Sequence, residues 1–172
     1  SIKRHIQNDL NRASQAATGV EVTNAFYKPV YEVVESLERL VEVVQEIEDH
    51  GSFGVDTESP GLNFMDEPAI MCQLSIGEGK NWIVPFFKHD PEASYMGKYK
   101  LKAVWGALYE KMTQILGRLF TSEKVIKCAH HAKYDMTVLK RWCNIITAGW
   151  VWDTQVMHHL LLHQRVDPVI VG

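Results

Sequence analysis

The chain has few cysteines and no long apolar run. None of its hydrophobic stretches approaches the ~18 residues of a membrane-spanning helix, so we expect no contact with a membrane. Its three cysteines, Cys72, Cys128 and Cys143, are odd in number and form no Cys-x-x-Cys pair, which argues against a disulfide framework and against a zinc finger. Reduced thiols, and the lack of an apolar stretch after Ser1–His5, favour a cytoplasmic protein.

Neither sign of charge dominates, since 18 Lys and Arg residues stand against 21 Asp and Glu residues. A chain of 172 residues with 46% hydrophobic residues is typical of one globular domain around a single core. The charge is uneven, however, because residues 80–141 contain 12 basic and only 5 acidic side chains. This excess indicates either an ordinary solvated lysine surface or a surface that attracts a polyanion such as nucleic acid.

Hydrophobic periodicity predicts helices and strands behind an N-terminal extension at residues 1–30. An amphipathic helix is expected from Ser36 to His50, with Gly51 as its stop, and a hairpin turn at Gly77–Lys80. The remaining segments, in order, are strands at 53–58, 69–76 and 81–86, a loop at 88–97, a helix at 101–120, a strand at 125–129, a helix at 133–143, a strand at 149–152 and a last helix capped by Asp153. This order predicts an α/β fold in which an antiparallel three-strand meander and later alternating elements form one mixed sheet with helices on both faces.

Aromatic and basic side chains in these elements leave two interpretations open. Trp105 and Trp142 fall on helical apolar stripes and are expected in the core, whereas Trp150 and Trp152 share a strand face and fit either the core or base stacking. The basic run Lys98–Lys102 precedes the helix predicted at 101–120. It is suited to phosphate contacts, but lysines at a helix N-terminus are unfavourable for the protein alone.

Asp56 and Glu58 are two carboxylates on one predicted strand. Side chains two residues apart on a strand project from the same face, so the pair is within reach of a shared cation. A solvated acidic pair at a strand end has the same spacing. The apolar neighbours Phe53–Val55 favour the cation, because a buried carboxylate is costly unless it is paired or bound to a metal.

A second polar cluster follows the strand at 125–129. If the next helix begins near Ala132, His131 and Asp135 lie on the same side of its first turn. With Cys128 they offer a zinc half-site, although oxygen-rich sites favour magnesium or manganese. Asp135 also fits a plain first-turn residue that is stabilised by the helix dipole.

Three segments resemble known exonuclease motifs, and the similarity spans residues 30–163. Phe53–Ser59 resembles the first motif (Asp-x-Glu) of the DEDD superfamily of 3'-5' exonucleases, and His130–Leu139 resembles the second (Asn-x-x-x-Asp). Trp152–Gln155 with His159–Leu161 is similar to the Asp-Thr and Leu-Leu segment of proofreading domains in family-A DNA polymerases, with phage-type members nearest. The resemblance implies a ribonuclease-H-like exonuclease domain at residues 31–172.

The resemblance also implies a mechanism, a substrate and a partner. Two divalent ions, Mg²⁺ or Mn²⁺, would hydrolyse nucleotides from the 3' end of single-stranded or frayed DNA, next to a polymerase domain of the same parent chain and, for a phage protein, in the host cytoplasm. By resemblance Asp56 bridges both ions, Glu58 holds one, and Asp135 ligates the other. The implied contacts with the terminal nucleotide are Thr57, Ser59 and Leu62, while His131 touches the scissile region.

The chain departs from the family pattern at two places. His131 stands where the family has Asn, and the third motif, Tyr-x-x-x-Asp, is expected beyond Gly172, so we expect an incomplete domain with little activity of its own. The segment His163–Asp167 lies too close to Asp153 to replace that motif. Two alternatives remain open: a catalytically decayed nucleic-acid-binding domain of the same fold, and an RNA exonuclease similar to ribonuclease D.

Overall fold

A computed structural model of the chain describes residues 30–77 and 79–163. Nearly all of the predicted N-terminal extension, and the segment after His163, lie outside the described residues. The strands are β1 (Glu32–Val33), β2 (Ser52–Glu58), β3 (Met71–Ser75), β4 (Asn81–Pro85), β5 (Phe87–His89), β6 (Tyr95–Met96), β7 (Tyr99–Ala103), β8 (Ile126–Ala129) and β9 (Val151–Asp153). The helices are α1 (Leu37–His50), α2 (Tyr109–Thr121), α3 (Ala132–Cys143) and α4 (Thr154–His163), with a 3₁₀ turn at Gly106–Leu108. None of the helices described here is both long and apolar enough to cross a membrane.

Six strands form one mixed sheet in the order β1-β4-β3-β2-β8-β9. The strands β2, β3 and β4 are antiparallel neighbours, whereas β8 runs parallel to β2 and β9 runs parallel to β8. The predicted meander, the later alternation of helices and strands, and the α/β fold class are therefore confirmed. The remaining strands form a second, three-stranded sheet in the order β5-β7-β6.

Helix α1 begins and ends where its sequence predicts. The Ser36 side chain accepts a hydrogen bond from the Arg39 backbone N–H at 3.1 Å, which caps the first turn. Gly51 ends the helix with φ +80°, a conformation that suits a residue without Cβ. The buried residues Leu40, Val43, Val44 and Ile47 face the core, so the helix is held mainly by the burial of this stripe.

The two faces of β2 differ in burial. Phe53, Val55 and Thr57 are buried, while Asp56 is half-buried and Glu58 is exposed. Phe53 packs edge-to-face on Phe120 of α2, with ring centroids 5.5 Å apart, and each such buried side chain contributes about 1.5–3 kcal/mol. The alternation thus turns one face toward the helices and leaves both carboxylates on the opposite face.

The loop predicted at 88–97 is confirmed only at residues 90–94 and 97, because strands β5 and β6 occupy the rest, and the helix predicted at 101–120 is wrong over residues 101–108. Leu101 is buried on strand β7 between Lys100 and Lys102, so the period there is two residues rather than 3.6. Helix α2 begins only at Tyr109. Trp105 is buried, as expected, but it lies before the 3₁₀ turn and donates its Nε1–H to the Pro85 carbonyl at 2.6 Å.

Lys127 is a fully buried lysine on β8. Its ammonium donates hydrogen bonds to the carbonyls of Ser122 and Ala148, which lie in the segments before β8 and before β9. Burial lowers the pKa of Lys127, since desolvation disfavours the charged amine. The residue therefore joins two loops at the start of β8, at the end of the sheet opposite the carboxylates.

Candidate active site

The predicted site residues gather at one edge of the large sheet. Glu58 lies opposite Met71, which in turn lies opposite Pro85, so the end of β2 is level with the start of β3 and the end of β4. Ala129 pairs with Asp153, so β8 and β9 end together. Because β2, β8 and β9 are parallel, their carboxyl ends meet at the same edge, where ligands bind in open α/β sheets.

Asp56 and Glu58 project from the same face of β2, as their spacing predicts. Asp56 lies opposite Gln73 of β3. The Gln73 side-chain amide donates a hydrogen bond to Glu58 Oε1 at 2.9 Å and so orients this carboxylate. Sequence reasoning missed Gln73, although a polar residue between Cys72 and Leu74 of a buried strand was a usable signal.

Asp135 is buried and fastens helix α3 to β2. Its Oδ1 accepts hydrogen bonds from the Thr57 backbone N–H at 2.8 Å and from the Thr57 hydroxyl at 2.7 Å. The pairing of β8 with β2 reaches only Gly54, so Asp135 satisfies a backbone group of β2 beyond the end of that ladder. Asp135 therefore binds Thr57, which stands between Asp56 and Glu58 in sequence but projects from the opposite face of β2.

The carboxylates of the candidate site suit a divalent cation by their chemistry. Carboxylate oxygens are ligands that suit Mg²⁺ and Mn²⁺, and Asp56 and Glu58 present two of them on one face. Within residues 30–77 and 79–163, however, no three His, Cys, Asp or Glu side chains converge closely enough to hold a metal ion. The ligand chemistry fits a hard divalent cation, whereas the convergence of a third ligand is absent from this geometry.

The alternative zinc half-site of Cys128, His131 and Asp135 is not formed in the described part of the chain. Partial burial raises the pKa of the Cys128 thiol, and the negative charge of Asp153 raises it further. A thiolate is the form that binds zinc, so this environment disfavours the ligand.

Ser59 and Tyr134 anchor the loop that follows β2. The Ser59 hydroxyl donates to the Gly61 carbonyl at 2.7 Å, and the Tyr134 hydroxyl donates to the same carbonyl at 2.8 Å. The two hydroxyls lie 2.8 Å apart. Tyr134, which sequence reasoning did not single out, thus connects α3 to the loop, and the predicted contact residue Leu62 is 87% exposed at its tip.

We call residues 60–68 the site loop. Glu67 folds inward and accepts the Asn63 backbone N–H at 2.8 Å. From α3, Trp142 donates its Nε1–H to the Phe64 carbonyl at 2.8 Å, and Arg141 donates to the Met65 carbonyl at 3.0 Å. Trp142 packs partly on the core, as predicted, but its indole N–H also fixes this loop. The site loop is consequently held from both ends of α3.

His131 is the N-cap of α3 and has a left-handed backbone, with φ 63° and ψ 48°. Its N–H donates to Asp153 Oδ1 at 3.1 Å, and its ring lies on the Tyr134 ring, 6.4 Å between centroids. The predicted start of the helix near Ala132 is confirmed, but His131 precedes the first turn instead of lying within it. Asn is especially common in left-handed conformations, and His is also tolerated there.

We expect the backbone at residue 131 to govern the stability of this corner. His131→Asn should change the free energy of unfolding by less than about 0.5 kcal/mol, whereas His131→Val should lower it by about 1–2 kcal/mol, because a β-branched residue is strained at positive φ. Urea unfolding measures both variants, and each removes the ring, so their difference isolates the backbone. Lys133→Val, at an exposed helical position, is the control. Equal losses in the Asn and Val variants would contradict the expectation.

The candidate site thus combines an acidic pair at the carboxyl end of β2 with a third carboxylate on the helix after β8. The family model for 3'-5' exonucleases matches residues 31–167 of this chain. The chain therefore belongs to the 3'-5' exonuclease family. No curated protein sequence matches the chain significantly.

Solved structures of nucleases share the fold at low sequence identity. The Aedes aegypti Nibbler EXO domain is 10% identical with a TM-score of 0.58, and covers 87% of this chain and 62% of its own. Trypanosoma brucei RNase D in complex with RNA U12 is 16% identical with a TM-score of 0.55, and the match covers 76% of this chain and 39% of the RNase D chain. Brucella melitensis NrnC with bound Mg²⁺ is 15% identical with a TM-score of 0.50, and the match covers 81% of this chain and 55% of the NrnC chain. The chain thus spans between 39% and 62% of these proteins.

Proposed function

We propose that this chain is the 3'-5' proofreading exonuclease module of a family-A DNA polymerase of phage type. It would remove nucleotides from the 3' end of single-stranded or frayed DNA, with Mg²⁺ or Mn²⁺ as cofactor. One observation carries the proposal: Asp56 and Glu58 share a face at the carboxyl end of β2, and Asp135 is bound to Thr57 between them. The match to the exonuclease family over residues 31–167 supports it.

The proposed cofactor is a pair of divalent ions with Asp56, Glu58 and Asp135 as ligands. When bound, such ions activate the attacking water and stabilise charge on the leaving oxygen. The Mg²⁺ bound to NrnC, a protein of the same fold, supports a divalent metal. The described residues do not bring three ligands together, and the proposal includes a further carboxylate, which by resemblance the third family motif supplies.

The protein's own residues would prepare the site. Gln73 donates a hydrogen bond to one carboxylate oxygen of Glu58. This contact fixes the orientation of the carboxylate and therefore the direction of its second oxygen. Leu62 stands exposed on a loop that α3 fixes, so it would press on the terminal base as a preformed wedge. Ser59 would flank that nucleotide together with the backbone of Thr57, whose side chain is buried against Asp135, and His131 would approach the scissile phosphate. A terminus must unpair to enter such a site, which favours mismatched ends.

A second candidate is an RNA exonuclease similar to ribonuclease D. The observation that favours it is the shared fold with Trypanosoma brucei RNase D, which was solved in complex with RNA U12. A third candidate, a decayed nucleic-acid-binding domain, is favoured because no three ligands converge among the described residues. Both candidates keep the same edge of the sheet as the binding site.

Degradation of end-labelled oligonucleotides tests these candidates. We expect the parent protein, with Mg²⁺ or Mn²⁺, to release labelled mononucleotides from 3'-labelled single-stranded DNA and to leave a progressively shortened ladder from 5'-labelled DNA. The chain alone should cleave far more slowly. Preferred cleavage of RNA would instead establish the ribonuclease, and binding without cleavage that is the same with EDTA and with Mg²⁺ would establish the decayed domain.

A further inference from the structure

Lysines cluster on one face of the second sheet. Lys100 and Lys102 alternate on β7 with the buried Leu101, and Lys98 lies in the turn before this strand, two residues ahead of Lys100. Lys88 of β5 lies directly opposite Lys102, so its side chain shares their face. Tyr95 of β6 lies opposite Lys100 and is 71% exposed. We call Lys88, Lys98, Lys100, Lys102 and Tyr95 the lysine face.

The positive charge of this face is poorly balanced. Two lysines directly opposite each other on neighbouring strands, as Lys88 and Lys102 are, repel and destabilise the sheet. In the part of the chain that the structure describes, Lys98 is paired with Asp66 at 3.5 Å and Lys102 reaches Asp90 only at 3.9 Å, whereas Lys88 and Lys100 form no ion pair with a carboxylate. Lys100 donates to the Pro91 carbonyl at 2.8 Å and stands 5.6 Å from the centroid of the Tyr95 ring. Such a face suits an anionic ligand.

The lysine face is joined to the candidate active site. The turn before β7 packs on the site loop, where the Lys98 N–H donates to the Asp66 carbonyl at 3.1 Å. Gly97, with φ +60°, approaches the Asp66 backbone so closely that a Cβ atom would collide with its carbonyl oxygen. Strand β5 begins just after Pro85, at the edge of the large sheet that also holds Glu58. The lysines therefore extend outward from the loop that presents Leu62.

From this placement we infer that the lysine face binds the phosphodiester backbone of a single strand, on the 5' side of the terminal nucleotide, with Tyr95 stacking on one base. The inference rests on the nucleic-acid substrate proposed above and adds a second binding surface outside the cleavage site. Lysine ammonium groups pair with phosphates without reading sequence, and an exposed aromatic ring stacks on any base. The opposed Lys88 and Lys102 gain a shared counter-charge when the strand binds.

The test is a salt titration of binding to fluorescein-labelled single-stranded DNA. Binding is measured by fluorescence anisotropy in the presence of EDTA, so that the DNA is not cleaved. The variant combines Lys88→Ala, Lys100→Ala and Lys102→Ala, and leaves Lys98 in place because it also contacts the site loop. Each phosphate contact contributes about 0.7 to the slope of log K against log salt for a single strand, so we expect the slope to fall by about 2. Tyr95→Ala should weaken binding about tenfold at constant slope.

The matched control removes the same charge elsewhere, with Lys111→Ala, Lys124→Ala and Lys140→Ala at exposed positions. A Lys→Gln set at the three face positions repeats the test if the alanine variant does not fold. An unchanged slope, an equal change in the control, or no binding by the unmodified chain would overturn the inference. If the lysine variant lowers the salt slope in a parent protein that cleaves no DNA, the binding role of the lysine face stands and the proposed exonuclease activity is wrong. The failures of the two proposals are therefore distinguishable.

Discussion

We expect Asp56→Ala in the full-length parent to lower the rate of 3'-end hydrolysis by about a thousandfold or more. Asp56 is the half-buried member of the acidic pair and lies between Val55 and Thr57, so no described neighbour on β2 can replace its carboxylate. Loss of one member of a catalytic group commonly costs orders of magnitude. The measurement is single-turnover release of the labelled 3' nucleotide under saturating Mg²⁺.

Two variants separate chemistry from folding. Asp56→Asn keeps the size of the side chain and removes its charge, and it should lose nearly as much activity as Asp56→Ala. Asp49→Ala removes an exposed carboxylate of α1 that accepts a hydrogen bond from the Gln45 side chain at 2.9 Å, and it should keep the full rate. Strand binding in EDTA should persist in all three. If Asp56→Ala cleaved at the parent's rate, the assignment of this edge as the active site would be wrong.

Asp153→Ala should produce the largest loss of stability among these variants, about 2–4 kcal/mol in the free energy of unfolding. Its carboxylate accepts hydrogen bonds from backbone N–H groups at the starts of two helices. The donors are His131, the N-cap of α3, Ala132, the first residue of α3, and Gln155 and Val156 in the first turn of α4. Removal of a single capping side chain costs about 0.5–2 kcal/mol, and here two helices lose theirs together. Urea unfolding at neutral pH measures the loss.

The same carboxylate predicts a pH dependence. Partial burial opposes the charge of Asp153, but the hydrogen bonds from the four backbone N–H groups outweigh it and lower the pKa below the ordinary 3.8. A lowered pKa means that the stabilisation is complete above the ordinary value and is lost as the pH falls through the lowered one. The difference between the unmodified protein and Asp153→Ala should therefore be constant from pH 7 to about pH 5 and shrink below about pH 4.

Asp153→Asn is the control for this experiment. Its amide keeps one acceptor oxygen, so it should retain part of the stability, and it carries no charge to titrate. A difference between Asp153→Asn and Asp153→Ala that varied strongly between pH 7 and pH 3 would show that another group causes the acid sensitivity.

The parts of the fold with a strong period and clear end signals were predictable from sequence. Ser36 and Gly51 delimit α1 as expected, and alternation placed Asp56 and Glu58 on one face. The second sheet was missed because Leu101 and Trp105 are four residues apart and imitate a helix. In fact Leu101 belongs to a short strand whose partners lie on β5 and β6.

The contacts that complete the candidate site depend on tertiary structure. The hydrogen bonds between Thr57 and Asp135 join residues 78 positions apart, and no local pattern encodes their register. Asp153 was predicted as the cap of the last helix, but its second role at the start of α3 arises only because β8 and β9 end side by side. Sequence thus predicted where the candidate residues lie on their strands and helices more readily than what they touch.

The spacing along α3 limits how related chains can differ in length. Tyr134 and Trp142 hold the site loop from positions about two turns apart on this helix. One inserted residue between them would rotate everything after it by about 100°, which would carry the indole N–H away from the Phe64 carbonyl. The hairpin between β3 and β4 lies at the far end of both strands from Glu58, where an extra residue disturbs none of these contacts. Gains and losses of residues in that hairpin during evolution are therefore compatible with an intact candidate site, whereas those within α3 are not.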